Sequence, residues 1–339
     1  MEKPPVYIIG LAGEVGALET TAEQLGKRFN LSGEEVTKKT GVTKLHRFGT
    51  PNGLVMASCS VARRVITNTF TPLDQISGIF GSSNCTTETL MPGYATQVAA
   101  KFGLTHVLAD QVGMGCGGSL QALRAAHDRL IVDALDGKTS WYLVVAGDAT
   151  SLILDEKDYD TGFLFSEGAA ALLVTNDKRI NHGAYQIMSI GTKSFLGNYL
   201  DLLTIGNPYW VHTRGELAGF KMAGGGVFRF GASLIPHFLQ LVGTEKFGDD
   251  WMLFPHQANL RMLQAMAANA GVPEDRVYMD GIRRIGNTSP PAVFLGLEDG
   301  LERRIFDKSN TVLLGAFGGE LTVGAALLKP LGDPTPILC

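Results

Sequence analysis

The chain has 339 residues, of which 45% are hydrophobic and 18% are charged, with a formal net charge of −4. This length favours two domains or two fused halves, and the apolar content is ample for an extensive core, which excludes a disordered chain. The slight acidic excess argues against nucleic acid as the main partner, because phosphate contacts need a surplus of Lys and Arg.

Short runs rich in Val, Leu and Ile, bounded by Gly or Asp, predict buried strands, and longer segments with helical spacing lie between them. In chain order the predicted strands are Val6–Gly10, His106–Val112, Tyr142–Ala146, Ala169–Val174, Met252–Phe254 and Val312–Leu314. The predicted helices are Ser119–Leu135, Val227–Leu241 and Leu260–Ala270. Strands that alternate with helices predict a layered α/β fold, in which helices cover a largely buried sheet.

A faint internal repeat relates the two parts of the chain. Tyr142–Gly147 is followed by a strand that begins Gly-Ala-Ala, Gly168–Val174, and Thr311–Ala316 is followed by a second such strand, Gly324–Lys329. Together with the length, this repeat favours two similar α/β halves, residues 1–175 and residues 176–339. The alternative is one large α/β domain.

The cysteine usage and the N-terminus indicate the compartment. The four cysteines, Cys59, Cys85, Cys116 and Cys339, show no CxxC spacing, which is typical of reduced thiols in a cytosolic protein and argues against metal ligation. The apolar stretch Val6–Gly10 is too short for a signal peptide, and no run approaches the roughly 18 apolar residues of a membrane span. We therefore expect a cytoplasmic protein with no metal, no membrane partner and no nucleic-acid partner.

Cys116 lies in the glycine-rich segment Gly113–Ser119, between a predicted strand and a predicted helix. At a helix N-terminus the dipole and the free backbone N–H groups favour the nucleophilic thiolate. The flanking glycines permit a tight turn and let a substrate approach the backbone closely. From this segment alone, a catalytic cysteine and a small buried cysteine are about equally supported.

Two further segments carry side chains suited to acyl transfer. His256 follows a predicted strand and Pro255, which fixes its approach as a base or hydrogen-bond donor, and Asn287 is a neutral amide in the turn Gly286–Ser289. Each signal is weak by itself, because most histidines are structural and Gly-Asn-Thr-Ser usually marks a turn. Together, with each of the three expected at a strand exit, Cys116, His256 and Asn287 supply a nucleophile, a base and an amide for thiol acyl transfer. The two neutral N–H donors also suit an enolate formed by loss of CO₂.

This combination resembles the ketoacyl-ACP synthase III branch of the thiolase superfamily. The matching segments, in the order and spacing of the family, are Lys39–Val42, the Cys116 turn, Lys221–Gly224, Pro255–Asn259, Gly286–Ser289 and Ala316–Gly319. The resemblance implies an α/β thiolase fold with five layers, αβαβα, made of two similar halves. It also implies a homodimer, with a buried Cys-His-Asn triad and no resident cofactor, since phosphopantetheine arrives on the substrate.

The resemblance assigns roles to individual residues. Cys116 is the acylated nucleophile, and His256 and Asn287 support decarboxylation of a malonyl-type extender and its attack on the acyl-cysteine. The backbone N–H groups of Cys116 and Gly319 form the oxyanion hole.

The resemblance also implies residues that bind the substrate and its carrier. Asn259 and Arg261 match positions near the phosphopantetheine entrance. Arg261 suits a phosphate or an acidic acyl-carrier protein, and a solvated charge on a helix face is the alternative. Met91 falls where the family has a residue at the dimer interface that limits acyl length, and a flexible Met indicates a longer or unusual acyl group.

Departures from the family pattern bear on the acyl donor. Glu35 stands where bacterial members place a Trp that stacks on the adenine of coenzyme A, and Leu152 stands where an Arg closes the other side. Gly225 replaces an Asn on the pantetheine path. The loss of two stacking faces removes contacts worth about 1–3 kcal/mol. We therefore expect an acyl-carrier protein, or a CoA thioester held differently, as the donor.

The favoured interpretation is decarboxylative Claisen condensation in a specialised fatty acid or polyketide-like pathway. One alternative is transfer of the acyl group to oxygen or nitrogen, and another is an inactive partner subunit of a heterodimer. Asn287 favours condensation, because a simple acyltransferase has less use for an enolate-binding amide. The complete triad argues against the inactive subunit.

Overall fold

The computed structural model describes residues 3–50, 52–84, 91–113, 115–156, 158–159, 161–195, 203–205, 220–243, 250–306, 311–318, 321–333 and 337–338. The strands in this part of the chain are β1 (Tyr7–Val15), β2 (Leu18–Thr21), β3 (Lys44–Arg47), β4 (Ile76–Ser82), β5 (Leu108–Gln111), β6 (Trp141–Asp148), β7 (Gly168–Thr175), β8 (Ala184–Ser194), β9 (Leu203–Ile205), β10 (Phe220–Met222), β11 (Trp251–Pro255), β12 (Thr311–Phe317) and β13 (Thr322–Leu331). The α-helices are α1 (Ala22–Lys27), α2 (Gly33–Thr40), α3 (Gly53–Asn68), α4 (Tyr94–Phe102), α5 (Gly118–Leu135), α6 (Gly224–Gly231), α7 (Ile235–Val242), α8 (Leu260–Ala270), α9 (Asp280–Arg284) and α10 (Ala292–Glu302).

Nine strands form a mixed sheet in the order β11-β12-β13-β8-β1-β7-β6-β4-β5. In one half β4 is parallel to β5 and β6, and β6, β7 and β1 are antiparallel neighbours. The other half has the same directions, since β11 is parallel to β12, and β12, β13 and β8 are antiparallel neighbours. The strands of the two halves join into one sheet where Tyr7 and Ile8 of β1 pair with Gln186 and Tyr185 of β8. The expected pair of similar halves is therefore present.

The helices complete the five layers. In one outer layer, α3 packs on β1, β6 and β7, and α4 packs on β4 and β5. In the other outer layer, α7 packs on β8 and β13. In the middle, α5 contacts β4 and β6 of one half and β12 and β13 of the other, and α10 likewise touches strands of both halves. Residues Ala292–Leu301 of α10 are all buried, as a central layer requires. Among the described helices, each falls short of the length or the hydropathy that a bilayer crossing needs.

The expected elements are present, with shifts at their ends and one division. The predicted helix Val227–Leu241 is in fact two helices, α6 and α7. Pro236 lies in the first turn of α7, where its missing N–H is tolerated, so a new helix starts there. By contrast α8 has the predicted bounds, because the Asn259 side chain caps its N-terminus and Gly271, at φ +64, ends it. The proposed boundary between residues 1–175 and 176–339 follows the last residue of β7 and stays a prediction.

Candidate active site

Cys116 lies on the turn between β5 and α5, immediately before the N-terminus of that helix. Gly113 and Gly115 adopt φ angles of +73° and +71°, which favour glycine and allow the tight turn. The side chain is 6% exposed and forms no disulfide. Because α5 is 18 residues long, its N-terminus offers the dipole and the backbone N–H groups that favour a thiolate.

His256 follows β11 directly, and its backbone N–H donates to the carbonyl of Gly315 in β12 at 2.7 Å. The ring is 2% exposed, and this burial lowers the pKa of His256 to about 3, so the imidazole is neutral at physiological pH. Its Nδ1 atom has no hydrogen-bond partner among the described residues. A buried polar atom without a partner is rare in folded proteins.

Asn287 is held between the two halves, although it does not lie at a strand exit as expected. It follows α9 and forms an isolated bridge with Phe165, in which the Asn287 N–H donates to Leu164 and the Ser166 N–H donates to the Asn287 carbonyl. Its side-chain Oδ1 accepts from the Ser289 N–H at 2.9 Å. Because that N–H can only donate, it fixes the orientation of the amide, and the Nδ2 amino group remains as a donor toward a substrate.

Cys116, His256 and Asn287 line one cavity of about 330 Å³. The walls are mostly apolar and include Phe163, Phe165, Met222, Phe228, Phe230 and Met262. A buried cysteine at a helix N-terminus thus shares an apolar cavity with two neutral polar side chains. Such a cavity excludes water from a reactive thioester and strengthens hydrogen bonds to an oxyanion.

The other predicted site residues lie in different places. Asn259 and Arg261 line the cavity, but the Asn259 side chain also caps α8, accepting from the Arg261 N–H at 2.9 Å. Met91 is 83% exposed and lies outside the lining of the described cavity. Gly319 falls outside the described residues, and its neighbour Gly318 lines the cavity. The roles of all these residues stay predictions.

Two residues of the site were missed by sequence reasoning. Lys39 lines the cavity, and its Nζ lies 3.5 Å from the centroid of the Tyr159 ring, a cation–π distance. Ser289 lies with its Oγ 3.3 Å from the Cys116 Sγ. Both belong to segments that matched the family, and that was the only available signal, since nothing in the sequence joins either residue to its partner.

Comparison with known proteins identifies the family to which the chain belongs. The sequence model of the family described as 3-oxoacyl-[acyl-carrier-protein (ACP)] synthase III matches residues 111–194, and the model of its C-terminal part matches residues 248–330. The beta-ketoacyl-[acyl-carrier-protein] synthase III of Nitratidesulfovibrio vulgaris strain DP4 is 32% identical over 305 residues, which are 87% of this chain and 90% of that protein. The chain belongs to the 3-oxoacyl-ACP synthase III family. Its sequence-based assignment as a condensing enzyme of the acyltransferase class is thereby confirmed.

Solved structures of synthase III proteins have the same fold as this family member. The 3-oxoacyl-(acyl carrier protein) synthase III of Pseudomonas aeruginosa PAO1 has a TM-score of 0.83 and 25% identity, covering 96% of this chain and 98% of its own. The priming β-ketosynthase from the R1128 polyketide biosynthetic pathway also has a TM-score of 0.83, at 23% identity and 98% coverage of both chains. At that identity the second likeness concerns the fold alone. The predicted thiolase fold is confirmed.

Proposed function

We propose that this synthase III takes an acyl group from a thioester onto Cys116 and joins it to the carbon nucleophile released from a malonyl-type thioester. The Cys116 thiolate attacks the donor carbonyl, a new carbon–sulfur bond forms, and the donor thiolate leaves. The malonyl thioester then loses CO₂, and its electron pair remains as an enolate. The enolate carbon attacks the acyl-cysteine carbonyl, a carbon–carbon bond forms, and the Cys116 thiolate is released.

The observation that carries the proposal is the buried cavity shared by Cys116, His256 and Asn287. Burial keeps His256 neutral, and Ser289 holds the Asn287 oxygen, so an imidazole N–H and an amide N–H are available together. Two neutral donors in an apolar cavity stabilise an enolate oxygen as its charge develops. All the groups that these steps need belong to the chain or to its thioester substrates, so the proposal includes no metal and no resident cofactor.

The charges around the cavity support a donor carried on a phosphopantetheine arm. Lys39 and Arg261 both line the cavity, and cations at this point suit the phosphate of that arm or an acidic carrier surface.

At the positions where the family binds adenine, this chain has unsuitable side chains. The Ser32 backbone and hydroxyl donate to the Glu35 carboxylate and hold its pKa below the usual range, so Glu35 is an anion without an aromatic face. Leu152 is an exposed aliphatic side chain. We therefore propose an acyl-carrier protein, or a CoA thioester bound differently, as the donor. A primer other than acetyl-CoA would favour a specialised fatty acid or polyketide-like pathway.

A homodimer in the cytoplasm is also part of the proposal. β5 is an edge strand of the sheet, and Leu108 on this strand and Met91, which precedes α4, are exposed apolar side chains. A second copy of the chain would cover apolar surface of this kind and pair the strand edge. Sedimentation velocity over a range of protein concentrations measures the assembly, and a monomer at micromolar concentration would contradict it.

Mass spectrometry of the intact protein tests the main proposal. After incubation with a panel of acyl-CoA and acyl-carrier donors, we expect a mass gain that identifies the acyl group. Cys116→Ala should abolish this gain, and Cys59→Ala, which removes a buried cysteine of α3, should retain it. Addition of a malonyl thioester should then release CO₂ and restore the unmodified mass. Full activity of Cys116→Ala would refute the assignment of Cys116 as the nucleophile.

The same assay separates the alternatives. Loss of the acyl group to an alcohol or amine, without release of CO₂, would favour acyl transfer to oxygen or nitrogen. Alkylation of Cys116 by iodoacetamide, together with no turnover by the isolated chain, would favour an inactive partner subunit.

A further inference from the structure

The Ser289 hydroxyl lies 3.3 Å from the sulfur of Cys116. Both side chains are buried, and the reaction steps above do not use this hydroxyl. A polar group this close to a nucleophilic sulfur changes the balance between thiol and thiolate. The question is whether the hydroxyl donates to the sulfur or accepts from it.

The Asn84 amide determines the direction of these hydrogen bonds. Its Nδ2 donates to Asp148 Oδ2 at 2.9 Å and to Ser289 Oγ at 2.7 Å, and its Oδ1 accepts from the Gly115 N–H. This orientation of the amide is fixed, because the Gly115 N–H can only donate and the atom that it meets must be the amide oxygen. Both hydrogens of the Asn84 amino group are therefore used, and the Ser289 oxygen accepts one of them.

With its oxygen accepting from Asn84, Ser289 has its own proton to give to the sulfur. A Cys116 thiolate has no proton, so in that state the contact must run from the Ser289 O–H to Sγ. A hydrogen bond to an ionised acceptor is roughly twice as strong as a neutral one, so this contact favours the thiolate over the thiol.

The hydrogen bonds of Asn84 and Ser289 also help to fix the position of the Cys116 sulfur. Asn84 follows β4 and Asp148 ends β6, two parallel neighbours whose carboxyl ends lie at one edge of the sheet. Asn84 holds the Gly115 N–H, next to Cys116, and Ser289 comes from the other half of the molecule. The hydrogen bonds of Asn84 therefore join the turn that carries Cys116 to the loop that carries Asn287.

Ser289 has a backbone conformation that a hydroxyl-bearing residue rarely adopts. Its φ is +65°, in the left-handed region, which costs about 1–2 kcal/mol for a residue with a Cβ. The Ser289 N–H bond to Asn287 Oδ1 stabilises this turn. Glycine would fit here without strain, so the presence of serine is accounted for if its hydroxyl has a task.

We propose that the Ser289 hydroxyl is a hydrogen-bond donor to the Cys116 thiolate, and that Asn84 and Asp148 are positioning residues that orient it. The proposal rests on Cys116 being the nucleophile of the proposed function. Its readout, however, is the ionisation of the thiol and not turnover, so the two can fail separately.

The rate of alkylation of Cys116 by iodoacetamide, followed by peptide mass spectrometry from pH 5 to pH 10, tests the proposal. Ser289→Ala should raise the pH midpoint by about one unit. At a pH below both midpoints acylation of Cys116 should fall about tenfold, and it should recover above the midpoint of the variant, where the thiolate forms without the hydroxyl. A purely structural defect would lower the rate at every pH.

Two further variants separate the hydroxyl from its surroundings. Ser289→Gly removes the hydroxyl and relieves the strained φ, and it should raise the midpoint as much as Ser289→Ala does. Ser119→Ala removes another buried hydroxyl, at the start of α5, which has no hydrogen-bond partner among the described residues. This matched control should keep the wild-type midpoint.

The positioning role has its own test. Asn84→Ala should raise the midpoint by less than Ser289→Ala does, because the hydroxyl is present but no longer oriented. The double variant Asn84→Ala/Ser289→Ala should raise the midpoint no more than Ser289→Ala alone does, since the Asn84 amide acts through the Ser289 hydroxyl. The proposal is overturned if Ser289→Ala and Ser289→Gly keep the wild-type midpoint, if Ser289→Gly alone restores it, or if Ser119→Ala shifts it equally.

Discussion

His256 lies edge-on against Phe317, with ring centroids 5.6 Å apart and an interplanar angle of 79°. His256 follows β11 and Phe317 ends the neighbouring parallel strand β12, so the sheet itself sets this contact. The aromatic ring replaces water beside the imidazole. Desolvation disfavours the imidazolium, which explains why the pKa of His256 falls to about 3.

We expect His256 to remain neutral from pH 8 down to pH 5. In protein labelled with 13C-histidine, the Cε1 resonance of His256, identified by its absence in His256→Asn, should not titrate in this range. An exposed imidazole titrates near pH 6.5 in the same spectra. A His256 resonance with a midpoint near 6.5 would show that His256 is not held neutral. It would also contradict the proposal that His256 and Asn287 bind the enolate as two neutral donors.

Asn287→Asp should weaken condensation more than acylation of Cys116. The aspartate retains the oxygen that accepts from the Ser289 N–H, but it replaces the amide donor with a negative charge facing a developing enolate. We expect release of CO₂ from a malonyl thioester to fall by about 10²-fold or more, and acylation to change by less than tenfold. Single-turnover measurement of both steps checks this. Equal losses would count against the enolate role.

The sequence predicts some elements well because their signals are local. In α8 the capping Asn259, the helical spacing and the terminal Gly271 all lie within one short segment of the chain. The predicted bounds therefore match the structure. In α10 the pattern fails, because its first six residues, Ala292–Leu297, include no polar side chain that could reveal a helical period. Gly296 and Gly300 inside it lower its intrinsic preference as well.

In the candidate site, too, local segments predict some features and not others. Family-matched segments identify Cys116, His256 and Asn287, and the structure brings them to one cavity. The hydrogen bond from Asn84 to Ser289 joins residues of different loops and different halves. Such contacts depend on how strands are ordered in the sheet, which no local pattern records, so they could not be predicted from the sequence.

Arg261→Glu should slow acylation from carrier-bound donors. If Arg261 meets the phosphate of the phosphopantetheine arm, reversal of its charge should lower the second-order rate with acyl-carrier protein by about tenfold or more at low salt. An acyl-pantetheine without the phosphate should react at the wild-type rate.

The matched control for Arg261→Glu is Lys178→Glu. Lys178 is exposed and follows β7, at the end of the strand away from Asp148. This variant makes the same change in net charge, so it should keep the wild-type rate. If both variants slow acylation equally, net charge explains the effect and Arg261 has no specific role.

Glu298→Gln should change how stability depends on pH. Glu298 lies in the central helix α10, where the Gly13 N–H donates to Oε1 at 2.7 Å and Arg64 lies 3.5 Å away. Burial outweighs these contacts and raises the pKa of Glu298 from 4.5 to about 7. A carboxyl group whose pKa is raised by folding stabilises the native state when protonated. This contribution is present below pH 4.5 and is lost as pH rises to 7.

We therefore expect the free energy of unfolding of the wild type to lose on the order of 2–3 kcal/mol from this group between pH 5 and pH 8. Glu298→Gln keeps an oxygen for the Gly13 N–H and carries no charge, so it should be more stable than the wild type at pH 8 and similar at pH 5. Urea unfolding at both pH values measures the difference. Glu34→Gln, an exposed change in α2, serves as the control and should follow the wild type. Identical pH dependence of wild type and Glu298→Gln would show that Glu298 is ionised in the folded protein throughout this range, because Gly13 and Arg64 then fully compensate its burial.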